Sequence, residues 1–296
     1  MPVKNQTLSE KIFTLVSIFL LIILSVVMMY PFYYLLVYSF NEPMDAMRGG
    51  IYIWPRKFST IAYRTVFQTR NIGQAAWMSF LRTFLGTSVS LFCTAMLSYV
   101  LSRKHLVLRK FFNKYFIITM YVSGGLIPTY MVIRSLRLLN TFWVYIIPGL
   151  INVFYMILIR TYMEGIPDSL SESAEIDGAN DWVIFIKIML PLCVPILAVI
   201  AIFTAVGHWN SWFDNFIYTS RKSELTTLQL LLVNMLKQHA VTRSSDLLRP
   251  DQRTMAITQE SIRAAITMIV TIPIILVYPF FQRHFTMGIM LGSIKG

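Results

Sequence analysis

The sequence predicts an all-α, polytopic membrane protein with six transmembrane helices, and three observations predict it. Of 296 residues, 56% are hydrophobic and 14% charged, whereas soluble domains carry about 25% charged and about 45–50% apolar residues. Mean hydropathy is +0.60. Several stretches run without charge for longer than the roughly 20 residues a helix needs to cross the hydrocarbon core. A large soluble core needs no charge-free runs of that length.

The first such run, 12–40, contains no charged residue. It is too long for the apolar core of a secretory signal and no small-residue cleavage site follows it. It reads as a retained first helix that ends at an interface in the aromatic-rich MMYPFYYLLVY. Further spans are expected at 77–101, 111–133, 141–163, 192–213 and 262–281. Arg82 falls just inside the second of these, where a charge costs less than at mid-bilayer. Pro128, Pro148, Pro195, Pro273 and Pro279 lie in or near apolar segments, and kinks are expected because neighbouring helices can re-satisfy the interrupted backbone.

Six crossings put both termini on one side. Between spans two and three, SRKHLVLRKFFNK holds Arg103, Lys104, Arg109, Lys110 and Lys114, while the next connection holds Arg134 and Arg137. Basic residues favour the cytoplasmic side, which places the first of these segments, and with it both termini, in the cytoplasm. The connections 41–76 and 214–261 are also basic and would lie outside; long loops follow the rule poorly.

A net charge of +12 raises the question of nucleic acid. The basic residues form separate patches between apolar spans, and no zinc-ligand set, RNP-like strand or basic helix is present. Cys93 and Cys193 sit in apolar segments and read as packing residues. His105, His208, His239 and His284 lie in separate segments, so no metal cluster is expected. His208 and Asp214 read as pointing to different faces of one helix. Ser123-Gly124-Gly125 matches neither a nucleophile elbow nor a phosphate loop, and suits close helix packing or a kink ahead of Pro128.

Ahead of the fifth span lies a polar, acidic loop, 164–191, reading ESAEIDGANDWVIFIKIMLPLCVP from Glu172 on to Pro195. It reads as two short helices around a turn. Pro167, Asp168 and Ser169 suit a helix start, since Asp and Ser side chains accept from the free N–H groups of a first turn. Gly178 offers the backbone freedom for a sharp reversal. Asp181 is placed to cap a second helix with Trp182, Phe185, Ile186 and Met189 on one face. Pro191 and Pro195 stand where the fifth span starts, and a first turn tolerates proline.

In residues and spacing this loop resembles the EAA loop of permease subunits in ATP-binding cassette (ABC) importers. Glu172, Ser173 and Ala174 stand for Glu-Ala-Ala, with Ser173 a small residue in place of the usual alanine. Asp177, Gly178 and Ala179 follow, and Phe185, Ile188, Leu190 and Pro191 complete the pattern. The pieces SGGLIPTYMVIRSLRLLNTFWVYIIPG, VGHWNSWFDNFIY, ESIRAAITMIVTIPIILVYPF and QRHFTMGIMLGSIKG resemble a carbohydrate branch handling complex oligosaccharides, and Gly288, Gly292, Lys295 and Gly296 match its usual ending.

The resemblance implies a single permease domain over 1–296 with the type I importer fold, in a bacterial plasma membrane. It implies that Glu172 to Ala179 form a coupling helix that enters a cleft on an ATPase. The implied partners are a second permease subunit, an ATPase dimer and an extracellular solute-binding protein delivering an oligosaccharide. ATP and Mg would be bound by the ATPase, with no cofactor in this chain. The lack of G-x-x-x-x-G-K-[ST] agrees with that division, and no catalytic residue is expected.

Toward the outer end of the fifth span, Trp209, Asn210, Trp212 and Asp214 are candidates for the substrate pathway. Aromatic faces can stack on sugar rings, although an interfacial belt accounts for the tryptophans without a ligand. Asn210 and Asp214 are more informative, because polar groups in a span tend to face a cavity or another helix. An ion-coupled secondary transporter is the competing class. It predicts inverted repeats, broken helices and buried ionisable residues, and the spans read as nearly free of charge away from their ends.

Overall fold

The computed structural model describes residues 7–46, 48–68, 71–243, 260–277 and 279. Among them the chain forms α1 (Leu8–Ser39), α2 (Pro43–Ala46), α3 (Ile61–Gln68), α4 (Ile72–Ser102), α5 (Arg109–Tyr121), α6 (Leu126–Ser135) and α7 (Val153–Glu164). Then come α8 (Ser169–Ile176), α9 (Asp181–Ile184), α10 (Leu190–Leu192), α11 (Val194–Asn210), α12 (Phe213–Tyr218), α13 (Leu228–Arg243) and α14 (Glu260–Val277). The described residues contain no strand, only an isolated bridge between Asn41 and Phe58. They divide into two compact units: 7–68 with 235–243 and 260–271, and 71–234 with 272–277.

In the first unit, α1 opens on a reciprocal cap: Thr7 Oγ1 accepts from Glu10 N–H and Glu10 accepts from Thr7 N–H. Its 32 residues span about 48 Å at the usual helical rise, more than the hydrocarbon core needs. Only Val37 and Ser39 at its end are buried. The segment after it is pinned by Asn41, which is fully buried. Asn41 donates to Asp45 and accepts from the Lys57 N–H, while Arg56 bonds Asp45 and the Gly49 carbonyl. The Asn41 amide, with Arg56, holds the Asp45 carboxyl below its usual value.

The second unit is built around α4, which packs against α7 and α11. Its buried positions include Ala75, Ser79, Gly86, Ser90, Thr94 and Ser98, small residues four or seven apart, hence on one helix face, that let backbones approach. Ser90 Oγ donates to Leu150 O at 2.8 Å and Ser98 Oγ to Met156 O at 2.9 Å. Gly86 receives the His208 ring so closely that a Cβ there would lie 2.7 Å from His208 Nε2. Cys193 is buried among Tyr99, Ile159, Phe185 and Met189.

Among the described residues three helices are long and apolar enough to cross a membrane, or up to six spans if each bent pair counts as one. The runs expected at 12–40 and 77–101 fall on α1 and α4. The next three each fall on a bent pair. α5 and α6 meet at 117°, the segment Phe142–Gly149 meets α7 at 53°, and Asp181–Leu192 meets α11 at 81°. The sharpest bend lies at Val122–Gly125, where Gly125 takes φ +83°, ahead of Pro128 in the first turn of α6. The last run starts on α14, and its end lies outside the described residues, as do Gly288, Gly292, Lys295 and Gly296.

Candidate functional site

The acidic loop begins where α7 stops at Glu164. Asp168 does not cap α8: its own backbone is already helical, and its carboxylate accepts from Lys104 instead. Through that hydrogen bond Lys104 holds the Asp168 carboxyl below its ordinary value of 3.8, and Asp168 raises the ammonium above 10.5. Glu172 and Ser173 face solvent, as do Asp177 and Gly178, while Ala174 and Ala179 are half-buried against the core around Tyr99 and Phe185. Ile176 at the tip is 87% exposed, a feature the motif comparison did not single out.

The loop reverses as its glycine requires. Gly178 takes φ +82°, its N–H reaches Glu175 O at 3.0 Å, and Ala179 N–H reaches Ala174 O at 2.9 Å. These two bonds are the Schellman closure, which needs a left-handed residue at this position. Asn180 is then extended and its side chain accepts from Val183 N–H at 2.9 Å. The cap of the second helix is therefore Asn180 rather than Asp181. Because the chain leaves helical geometry at Asn180, Asp181 becomes the first helical residue, and its carboxylate accepts from Tyr99 OH at 3.1 Å.

The segment following α4 clamps this loop. Arg103 lies between Glu175 and Asp181 with its guanidinium over the Tyr99 ring, Lys104 pairs with Asp168, and Arg109 pairs with Glu164. Three of the five basic residues read from sequence as topology signals thus also hold the acidic loop.

Between α9 and α10 the helix is over-wide: Phe185–Met189 is a π turn, in which Leu190 N–H bonds Phe185 O. The extra residue rotates the face. Ile184, Phe185 and Met189 are buried, whereas Ile186 and Trp182 stay exposed, so the four-residue face read from 3.6 periodicity does not form as such. Trp182 contacts Phe92 edge-on.

At the other end of α4, α11 ends at Asn210 and α12 starts at Phe213. His208 and Asp214 are thus not on one helix, and the comparison of helix faces does not apply. Arg82 is buried, donates to Ser211 O and Asp214 Oδ1, both at 3.1 Å, and makes a second bond to Asp214 Oδ2. Its guanidinium lies 4.5 Å from the Tyr145 ring centroid. Asp214 also accepts from Ser211 Oγ and Asn215 N–H. Buried Asn215 bonds Tyr145 OH and accepts from Thr227 N–H. Trp212 packs on Phe213 and Phe216, Trp209 is half-buried, and Asn210 is exposed.

Arg82 is thus half of an ion pair in which its own side chain is buried and that of Asp214 is partly exposed. Its pairing with Asp214, 132 residues away, follows from packing and carries no local sequence signal. Opposite charges in two apolar stretches were the available hint.

No family profile matches the chain. It is 34% identical to the polygalacturonan/rhamnogalacturonan transport system permease protein YtcP of Bacillus subtilis (strain 168), over 98% of this chain and 100% of that one. It is 35% identical to protein LplC of the same organism, over 99% and 98%. The crystal structure of a bacterial ABC transporter involved in the import of the acidic polysaccharide alginate aligns with a TM-score of 0.83 at 28% identity, covering 96% of this chain and 100% of that one. Buried charges and broken helices are both present, as a secondary transporter would have them, but full-length identity to named permeases outweighs features that many membrane folds share. The chain belongs to the permease subunits of sugar ABC import systems.

Proposed function

We propose that this permease forms half of a translocation pathway for an oligosaccharide. A second permease subunit supplies the other half, an extracellular solute-binding protein delivers the cargo, and an ATPase dimer binds ATP and Mg. The chain crosses a bacterial plasma membrane six times within a single domain, with both termini and the loop 164–191 in the cytoplasm. Glu172, Ser173, Ala174, Asp177, Gly178 and Ala179 present the coupling helix. Trp209, Asn210 and Trp212 border the pathway near its outer end, and Asp214 positions that end through Arg82.

The observation that carries the reading is the form of α8. It is a short helix, exposed along Glu172, Ser173 and Ile176, closed by Gly178 and fixed at its base by Arg103 and Lys104. An exposed apolar side chain on a braced element is suited to a protein partner. ATP-driven closure of the ATPases would then bias a two-state helix bundle through this contact.

The test is a pull-down of the detergent-solubilised chain, wild type beside Gly178→Arg, with ATP-dependent uptake in proteoliposomes. Co-purification of an ATPase that the substitution abolishes, with folding retained, supports the reading. A chain that purifies alone and transports sugar without ATP overturns it.

A further inference from the structure

The loop that follows α1 turns part of its apolar surface away from its own core. From Gly49 to Pro55 the chain reads GGIYIWP, an uncharged run between Arg48 and Arg56. Ile51 points inward, buried with Val37 and Ala46 and packed by Tyr38. The next three side chains point outward: Tyr52 and Ile53 are each 62% exposed and Trp54 is 76% exposed.

This tip is held in place from both sides. Glu42 N–H bonds Lys57 O and Ser59 N–H bonds Phe40 O, both at 2.8 Å, which closes the loop at its base. Arg56 reaches across to Asp45 and the Gly49 carbonyl, and Lys57 pairs with Glu42. The charges beside the tip are thus engaged within the loop. Phe58 stacks on Phe40 with ring centroids 5.4 Å apart, and Ser39 Oγ and Tyr63 OH share a hydrogen bond of 2.8 Å. These contacts fix the chain after the tip to the end of α1.

One bond sets the depth of the tip. Tyr33 OH, on α1, donates to Ile53 O at 2.7 Å. Lys11 is the last charge before the apolar run. Tyr33 follows it by about 33 Å of helix at the usual rise, and the hydrocarbon core is about 30 Å thick. With Lys11 at one edge of that core, Tyr33 stands at the other, and the tip stands beside Tyr33. Trp and Tyr concentrate at this boundary, where the ring meets the apolar side and its N–H or O–H the wet side. The bond from Tyr33 also satisfies the Ile53 carbonyl, as a backbone group close to hydrocarbon requires. A tip held in water would gain nothing from turning three large apolar side chains outward.

We propose that Tyr52, Ile53 and Trp54 seat in the lipid headgroup boundary and anchor the end of α1 remote from its N-terminus. The proposal rests on α1 crossing a bilayer, as read above, and assigns lipid rather than protein to this surface.

The test is tryptophan quenching in the full chain reconstituted into phosphatidylcholine vesicles. Wild type is compared with Trp54→Phe, a surface change, and the difference between them reports Trp54. The quenchers are lipids brominated just below the headgroup, lipids brominated at the chain end, and aqueous iodide. The Trp54 signal is expected to lose more intensity to the shallow bromines than to the deep ones, and little to iodide. A signal that iodide quenches and neither lipid reaches overturns the proposal. So does a signal that none of the three reaches, which places the tip against protein.

Ile23→Trp in the Trp54→Phe background separates this idea from the reading beneath it. Ile23 is exposed on α1, well inside the apolar run, and a tryptophan there should be quenched most by the deep bromines. If it is, and Trp54 stays in water, the anchor alone fails. If iodide quenches the Ile23→Trp signal as well, α1 does not cross the bilayer and both fail. A Trp54 that is shielded from iodide only when a solute-binding protein is added assigns the surface to that protein, and the proposal fails.

Discussion

Asp214→Asn should destabilise the protein far more than a surface substitution, because it leaves the Arg82 charge buried without a counter-ion. The Arg82 side chain is 2% exposed and Asp214 23%. Breaking a buried pair by removing one partner costs about 3–5 kcal/mol. The partial access of water to Asp214 argues for the lower figure, about 3 kcal/mol. At about 2 °C per kcal/mol for a chain of this size, the melting temperature should fall by about 6 °C. The assay is thermal unfolding of the detergent-solubilised protein followed by circular dichroism. A companion, Arg82→Met with Asp214→Leu, should recover most of the loss, since apolar replacements of buried pairs are often neutral or stabilising. An Asp214→Asn protein that melts with wild type would refute the reasoning, as would a double variant less stable than the single one.

Other expectations concern smaller elements. Gly86→Val should cost about 1–3 kcal/mol by driving a side chain into His208, and adding His208→Ala should relieve it; a melting curve unchanged by Gly86→Val would rule this out. Asn180→Ala should cost about 1 kcal/mol as a lost cap, and a melting curve unchanged by it would remove that assignment. The Lys104–Asp168 pair sets a pH window. Asp168 is depressed, so its contribution is present above about pH 4 and lost as pH falls through its folded value. Lys104 is raised, so its contribution is present below about pH 10 and lost as pH climbs through its folded value. Stability differences between wild type and Asp168→Asn should therefore be flat from about pH 5 to 9 and shrink outside it; a maximum within that range would contradict the pairing.

What could be read from sequence was what is encoded locally. Gly178 announced its reversal because only a residue free at positive φ closes that turn without strain. Pro191 and Pro195 marked helix starts because a missing N–H costs nothing in a first turn. The cap shifted by one residue because Asn180 and Asp181 are both good caps, and the turn geometry chose between them. The face of the second helix does not follow the 3.6-residue period, because the π turn at Phe185–Met189 interrupts it. The Arg82–Asp214 pair joins residues far apart in the chain. Hydropathy averages over such positions and leaves their pairing to the packing of α4 with its neighbours.

The clamp on the acidic loop has a consequence in time. A chain is made from its N-terminus, so Lys104 emerges before Asp168, which lies 64 residues later. In the orientation proposed above, the charges of Arg103 and Lys104 have no counter-ions while the spans on either side are being oriented, and can act fully as the signal that keeps the segment on the cytoplasmic side. Only after the fourth span has been synthesised does the acidic loop arrive to neutralise them. The same few side chains thus serve first as an instruction to the insertion machinery and afterwards as mortar.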